Sequence, residues 1–271
     1  MSGLDVDGLR WEVRARGTGT PLLLIHGFTG RGTSWAGHAA AFARSFRVIV
    51  VDLPGHGRTA TGDAGRMTVE RTAGDLAAIL RRLGAAPADV VGYSLGARIA
   101  LRLAIDHPDV VRRLVLESPS AGIADPVARA ERRAADEAVA ARIERHGIPA
   151  FVAEWEAQPI FATQAALPAS RAERIRAIRL ANRPDGLAAS LRGSGQGTME
   201  PLVGRLGEFR APTLVIAGAL DDRARPRAES VAAGIPGARL AIIDGSGHTP
   251  HDERPARFRR LALDFLQEDA A

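Results

Sequence analysis

The stretch Asp89-Val-Val-Gly-Tyr-Ser-Leu-Gly-Ala-Arg98 passes from a short β-branched apolar run, through two glycines flanking a serine, into a helical pattern that continues to His107. The glycines at 92 and 96 let the chain turn sharply, which pushes Ser94 into a strained, exposed position at the amino end of the helix. In that position the backbone NH of Leu95 faces any negative charge that develops on a bound group. A bare G-x-S-x-G arises readily by chance in a chain with 29 glycines. Its strand-turn-helix setting is what turns the match into a reactive-serine elbow.

Outward from this elbow the same alternation repeats. Strand-like runs occupy Leu9 to Arg16, Pro21 to Ile25, Arg47 to Val51, Asp89 to Gly92, Arg113 to Leu116, Thr213 to Ala217 and Arg239 to Ile243. Helical patterns lie between them at Ser34 to Arg44, Val69 to Leu83, Leu95 to His107, Arg227 to Ala233 and Pro255 to Leu266. Runs apolar on both faces, alternating with helices, predict an α/β fold with a mostly parallel sheet covered on both sides. The region from Ile123 to about Arg205 carries no strand pattern and predicts four helices, Pro126 to Arg145, Pro149 to Glu156, Ala169 to Asn182 and Pro184 to Leu191. Proline and glycine punctuate each junction. The expected organisation is therefore a core of residues 1–122 and 206–271 with a helical insert over 123–205. An insert there sits over the carboxyl edge of the sheet, where open α/β sheets bind ligands, and is a candidate lid.

A serine alone is a poor base or nucleophile, so a histidine oriented by a carboxylate is expected downstream in the order Ser, Asp, His. Asp221 follows one strand in Gly218-Ala-Leu-Asp221, and His248 follows the next in Gly245-Ser-Gly-His248. Asp222 competes with Asp221 for the acid position, though a solvated loop residue is the plainer reading of it, and Glu117 is a weaker competitor. Among the seven histidines, His38, His107 and His146 fall in or beside helical patterns and read as surface or capping residues. His26 and His56 lie on loops at strand ends and read as pocket-shaping, with His251 a second pocket contact. The loop His26-Gly27-Phe28 supplies a second oxyanion donor, the NH of Phe28, to pair with that of Leu95. No carboxylate-histidine cluster has metal-ligand spacing and no glycine-rich turn has a downstream acid, so neither a metal nor a dinucleotide is expected and the site reads as cofactor-free.

Composition narrows the chemistry further. The chain has 271 residues, a net charge of +5 and no cysteine, and all 36 basic residues are arginine, because no lysine occurs. Thiol nucleophiles, disulfides, cysteine-bound zinc, lysine Schiff bases and the lysine of a phosphate-binding loop are all excluded. The high isoelectric point reports arginine's refusal to titrate. Acids and bases interleave and aromatic residues make up only 4%, which speaks against nucleic acid as a partner. Met1 to Arg10 shows no apolar signal core, and no run approaches the length of a membrane span, so the expected location is the cytoplasm, with no membrane partner. Nothing in the sequence sets the oligomeric state.

His26-Gly-Phe28, Asp52-Leu-Pro-Gly-His-Gly57, the serine elbow, Gly-x-x-Asp221 and Gly-His248 together resemble the α/β-hydrolase superfamily, over nearly the whole chain. That resemblance implies a helical cap inserted after the sixth strand. Gly92-Tyr-Ser-Leu-Gly-Ala-Arg98, the Arg-Ala-Glu-Arg132 run, Trp155 with Gln158-Pro-Ile-Phe161, Ile178-Arg179 with Asn182, and Gly-His-Thr-Pro-His251 are similar, more narrowly, to the 2-succinyl-6-hydroxy-2,4-cyclohexadiene-1-carboxylate synthases of menaquinone biosynthesis. Ala97 stands where that family often has a second glycine. The resemblance implies a cofactor-free lyase that eliminates pyruvate from a cyclohexene carrying three carboxylates, with Ser94 as general base backed by His248 and Asp221. It also implies Tyr93, Arg98, Arg132, Trp155 and Arg179 as substrate-binding residues. The spacing agrees for Arg98, four residues after Ser94 and so on the same helix face, although a solvated helix arginine is the alternative reading. Guanidinium forks suit carboxylates, so the small-molecule partner is expected to be a polycarboxylate. A serine hydrolase of carboxylated esters or carbon-carbon bonds shares the same triad, and a binding protein that kept the fold without turnover is the remaining alternative.

Overall fold

The computed structural model describes residues 3–268; Met1, Ser2 and residues 269–271, which include the ends of the expected core ranges and the start of the Met1–Arg10 stretch, lie outside the described residues. Seven strands form one sheet in the spatial order β3 (Val13–Arg16), β5 (Phe46–Val51), β4 (Thr20–Ile25), β6 (Ala88–Tyr93), β7 (Val111–Glu117), β8 (Thr213–Gly218) and β9 (Arg239–Ile243). All neighbours are parallel except β3, which runs antiparallel to β5 at the edge. The expected single strand over Leu9 to Arg16 is two. Asp7 and Gly8, both at positive φ, turn the chain into a separate hairpin of β1 (Leu4–Val6) and β2 (Leu9–Trp11), and only the residues from Val13 join the main sheet.

Side chains alternate across each strand, so β4 serves two cores at once: Leu23 and Ile25 pack with one cluster, Leu22 and Leu24 with the other. The first cluster is closed by α2 (Val69–Arg82), α3 (Leu95–Asp106) and α7 (Arg225–Gly234). The second is closed by α1 (Ala36–Phe42) and α9 (Pro255–Leu266), which follows the short α8 (Pro250–Glu253). Each of these fully buried leucines contributes about 1.5–3 kcal/mol.

Between β7 and β8 the chain forms only helices: α4 (Pro126–Glu156), α5 (Ala169–Leu180), α6 (Pro184–Ser194) and single 3-10 segments. These helices, expected after the sixth strand, follow the seventh along the chain, which is the fifth of the main sheet once the β1–β2 hairpin is set aside. α4 spans the two helices expected at 126–145 and 149–156; Gly147, at φ 75° and ψ 177°, is the break, next to Pro149. The helices carry a small apolar core of their own, with Ile143, Phe151, Leu187 and Leu191 at its centre.

Candidate active site

Parallel register brings the reactive positions to one edge. Tyr93 pairs with Glu117, Glu117 with Ile216, and Gly218 with Ile243, so the carboxyl ends of β6 through β9 stand side by side. Ser94 follows β6 directly, and Asp221 and His248 lie on the loops after β8 and β9. At the elbow Ser94 adopts φ 51° and ψ −106°, a conformation costly for a residue with a side chain. The turn closes only because its flanks are glycine: a Cβ on Gly92 would sit 2.5 Å from the Gly96 carbonyl oxygen, and one on Gly96 would sit 2.3 Å from that of Ile25.

The three side chains form a hydrogen-bonded series. Ser94 Oγ lies 3.2 Å from His248 Nε2, and His248 Nδ1 lies 2.6 Å from Asp221 Oδ2. The other Asp221 oxygen accepts the Ala224 amide at 2.9 Å, which fixes the carboxylate's orientation. Burial opposes ionisation of Asp221, but the His248 bond and charge hold its carboxyl below the usual aspartate range. Asp222 is exposed, and Glu117 faces His251 instead, so Asp221 alone of the three candidates reaches His248.

Two carboxylates that drew no attention as supports hold the histidine loop. Glu253 accepts hydrogen bonds from Gly247 N at 2.8 Å, Thr249 N at 3.0 Å and Thr249 Oγ1 at 2.8 Å, gripping both neighbours of His248. Glu117, fully buried, accepts from His251 N at 2.7 Å and from His251 Nδ1 at 2.9 Å. Burial disfavours the imidazolium, yet the Glu117 and Asp252 charges beside it lift His251 to about 10. Ser118 Oγ donates to the His248 carbonyl at 3.0 Å. A Glu five residues past His248 was the one available signal, and nothing local tells such a carboxylate from a surface one.

Neutral histidines build the loop that carries Phe28. Buried His26 donates from Nδ1 to the Gly27 carbonyl at 2.7 Å and accepts Leu53 N at Nε2, at 2.9 Å. His56 donates to the Pro54 carbonyl at 3.0 Å and accepts Thr29 N at 3.3 Å. Burial lowers them to about 4 and about 3, so both stay uncharged at neutral pH, as suits pocket-shaping residues. His38 departs from the surface role expected of it: it is 5% exposed, packs against Trp35, Phe42 and Phe258, and reaches the His251 carbonyl at 3.0 Å. The helix-facing side of α1 is a core face, which the alanine-rich sequence around His38 conceals.

Ser94 opens into a cavity of about 320 Å³, within the size range of small-molecule sites. Phe28, Leu95 and His248 line it, along with Tyr93, Arg98, Arg132 and Trp155, so the core and the α4 region enclose it together. Arg98 is 8% exposed; its Nη1 donates to the Ser194 carbonyl at 2.7 Å, and no carboxylate among the described residues pairs with it. Burial and the Arg132 charge lower it to about 10, still cationic at neutral pH. Arg132 pairs with Asp136 at 2.8 Å. Trp155 packs edge-on against Phe28, at 5.4 Å between ring centres. Burial, with Glu117 behind it, pushes the Tyr93 hydroxyl up, so the phenol stays protonated.

Arg179 is not brought to this cavity. It is buried beside a narrower cleft of about 50 Å³, which shares Phe28, Tyr93 and Phe161 with the first. There it pairs with Glu156 at 3.1 Å, bonds Gln164 at 3.2 Å and lies over the Phe161 ring. Sequence spacing could not anticipate this, because it does not tell which of two clefts sharing Phe161 a residue of α5 lines. Two cavity arginines went unread in the sequence: Arg223 and Arg227, on the loop after Asp221 and the first turn of α7, line the Ser94 cavity. Among the described residues no group of three or more His, Asp or Glu side chains is arranged to hold a metal ion, and no helix is long and apolar enough to cross a membrane.

Comparison with known proteins places this arrangement. The family model of the α/β-hydrolase fold matches residues 20–255. A Bacillus subtilis protein provisionally named 2-succinyl-6-hydroxy-2,4-cyclohexadiene-1-carboxylate synthase is 36% identical over 96% of this chain and 96% of its own length. The synthase of that name from Salmonella paratyphi C is 32% identical, over 87% of this chain and 89% of its own. Among solved structures, MenH from S. aureus superposes with a TM-score of 0.90 at 33% identity, covering 95% of this chain and 97% of that one. Likeness this even, in sequence and in fold from end to end, assigns the chain to the α/β-hydrolase fold family and, within it, to the 2-succinyl-6-hydroxy-2,4-cyclohexadiene-1-carboxylate synthases.

Proposed function

We propose that the chain eliminates pyruvate from 2-succinyl-5-enolpyruvyl-6-hydroxy-3-cyclohexene-1-carboxylate to give 2-succinyl-6-hydroxy-2,4-cyclohexadiene-1-carboxylate. The observation that carries this reading is the pairing of a serine–histidine–aspartate series with a cavity whose buried cation, Arg98, has no carboxylate partner among the described residues. Burying an unpaired guanidinium is costly, and an anionic substrate offsets that cost. A site for neutral esters gains nothing from it.

In this reading Ser94 Oγ removes a ring proton as its own proton passes to His248 Nε2, and Asp221 stabilises the imidazolium that results. Electrons released from the ring C–H bond shift through the ring and expel the enolpyruvyl oxygen as an enolate; its methylene carbon takes the proton that His248 Nε2 received, so pyruvate forms while Ser94, which keeps the ring proton, and neutral His248 are restored. Arg98 and Arg132 hold substrate carboxylates, and the amides of Phe28 and Leu95 spread negative charge as it develops. Tyr93 and Trp155 wall the cavity, and residues 123–205 act as the cap that keeps water out.

Incubation with the enolpyruvyl precursor, with pyruvate measured by a coupled reduction, tests the proposal. Pyruvate release that Ser94→Ala abolishes is the expected result. No pyruvate, alongside rapid turnover of carboxylated esters, overturns it in favour of a serine hydrolase.

A further inference from the structure

The Ser94 cavity is lined by four arginines, Arg98, Arg132, Arg223 and Arg227, against a single carboxylate, that of Asp136, which Arg132 already engages. These four fall into two groups by depth. Arg98 is buried and Arg132 half-buried, whereas Arg223 and Arg227 are exposed and come from a different part of the chain. Their placement follows from the same carboxylate that orients His248: Asp221 Oδ1 accepts Ala224 N and its carbonyl accepts Arg225 N, so the turn that fixes the acid also aims Arg223 and starts α7 under Arg227. Among the described residues neither Arg223 nor Arg227 forms an ion pair, whereas Arg225, between them, is paired with Glu229 at 3.6 Å. Partial burial of its side chain and the like charges of Arg132 and Arg223 depress Arg227, against the Asp221 carboxylate, which acts the other way.

Four cations converging on one opening, with only the Asp136 carboxylate among them, destabilise the empty site and suit an anion that bridges them. We infer that Arg223 and Arg227 form a second carboxylate subsite at the mouth of the Ser94 cavity, separate from the Arg98–Arg132 group, so that the site selects anions bearing carboxylates at two ends. The inference rests on the pyruvate-elimination reading for the identity of its natural ligand, but its binding claim stands apart from turnover. A monocarboxylate satisfies only the inner group. A tricarboxylate spans both.

Propane-1,2,3-tricarboxylate is the probe, titrated calorimetrically into the full chain at low salt beside pyruvate. The double variant Arg223→Gln/Arg227→Gln is expected to weaken tricarboxylate binding about tenfold or more, as loss of a charge-assisted carboxylate clamp does, while pyruvate affinity changes less than about twofold. Arg225→Gln, at a half-buried arginine that does not line the cavity, serves as the control and leaves both unchanged. In turnover of the enolpyruvyl precursor the double variant raises KM about tenfold with kcat nearly constant, the signature of lost uniform binding. Unchanged tricarboxylate affinity in the double variant, no tricarboxylate binding by the wild-type chain, or equal loss for pyruvate overturns the subsite. If the wild-type chain turns over the precursor and the double variant keeps its KM, the subsite fails and the elimination reading survives. If the precursor releases no pyruvate while tricarboxylate binding still depends on the pair, the elimination reading fails and the subsite survives.

Discussion

Replacing Glu253 is expected to separate the holding of His248 from the binding of substrate. One oxygen of Glu253 accepts Thr249 N at 3.0 Å and Thr249 Oγ1 at 2.8 Å, and the other accepts Gly247 N at 2.8 Å. In Glu253→Gln the amide oxygen keeps the Thr249 pair, and its NH2 turns against the Gly247 donor. A bond to a charged acceptor contributes about 1.5–3 kcal/mol, so this variant loses about 2–3 kcal/mol of stability. Glu253→Ala strands all three donors in a buried site and loses about 4–6 kcal/mol. His248 lies between the released residues, and its 3.2 Å approach to Ser94 depends on them. Misplacement by about 1 Å lowers kcat about 10- to 100-fold. KM should stay within about twofold, because among the described residues no cavity arginine hydrogen-bonds or ion-pairs with this loop. Urea unfolding at pH 7 gives the first quantity and steady-state pyruvate release the second. A Glu253→Gln protein with the wild-type unfolding midpoint and the wild-type kcat would refute the reasoning and leave the loop to Ser118 and Glu117.

Three further outcomes follow from the site. Arg98→Ala should lower kcat/KM on the tricarboxylate about 100-fold, with part of the loss restored in Arg98→Lys, while turnover of small neutral esters is little changed; equal losses on both substrates would contradict a carboxylate role. Asp221→Asn should lower kcat by several orders of magnitude through loss of the correct histidine tautomer, and Asp222→Asn should leave it within about twofold, as measured by the same assay. The Glu117–His251 pair makes stability fall with alkali: His251 is raised from 6.5 to about 10, so the pair's contribution is complete below about pH 6.5 and drains away as pH rises toward 10. Urea midpoints at pH 7 and pH 10 should therefore differ more in the wild-type chain than in Glu117→Gln, and parallel pH profiles would exclude the pair as the cause.

Much of this was legible in one dimension because the determinants are local. The elbow needs glycines at 92 and 96 for a close backbone approach, and that need is written at fixed spacing around Ser94. Strand and helix alternation predicts a parallel sheet, and a parallel sheet brings its loops to one edge, so Asp221 and His248 could be named before any distance was known. Other features depended on which face of an element meets which neighbour. His38 sits in an alanine stretch with little amphipathic contrast to show which face is buried, yet it faces a core. Arg98 and Arg179 look alike in sequence, both arginines on helices, but α3 delivers one into the Ser94 cavity and α5 delivers the other into the narrower cleft beside it.

By itself, the sequence determined the chemistry of the chain and the order of its elements: a serine elbow, a downstream acid and histidine, no thiol or amine to replace them, and many arginines. Only the tertiary structure decided which arginines share a space with Ser94, because total charge and helical spacing carry no information about the partner across a cavity. It placed Arg223 and Arg227 there through a turn fixed by Asp221, and it took Arg179 away into a pairing with Glu156. Electrostatic function depends on distance and burial, and both arise from contacts between residues far apart along the chain.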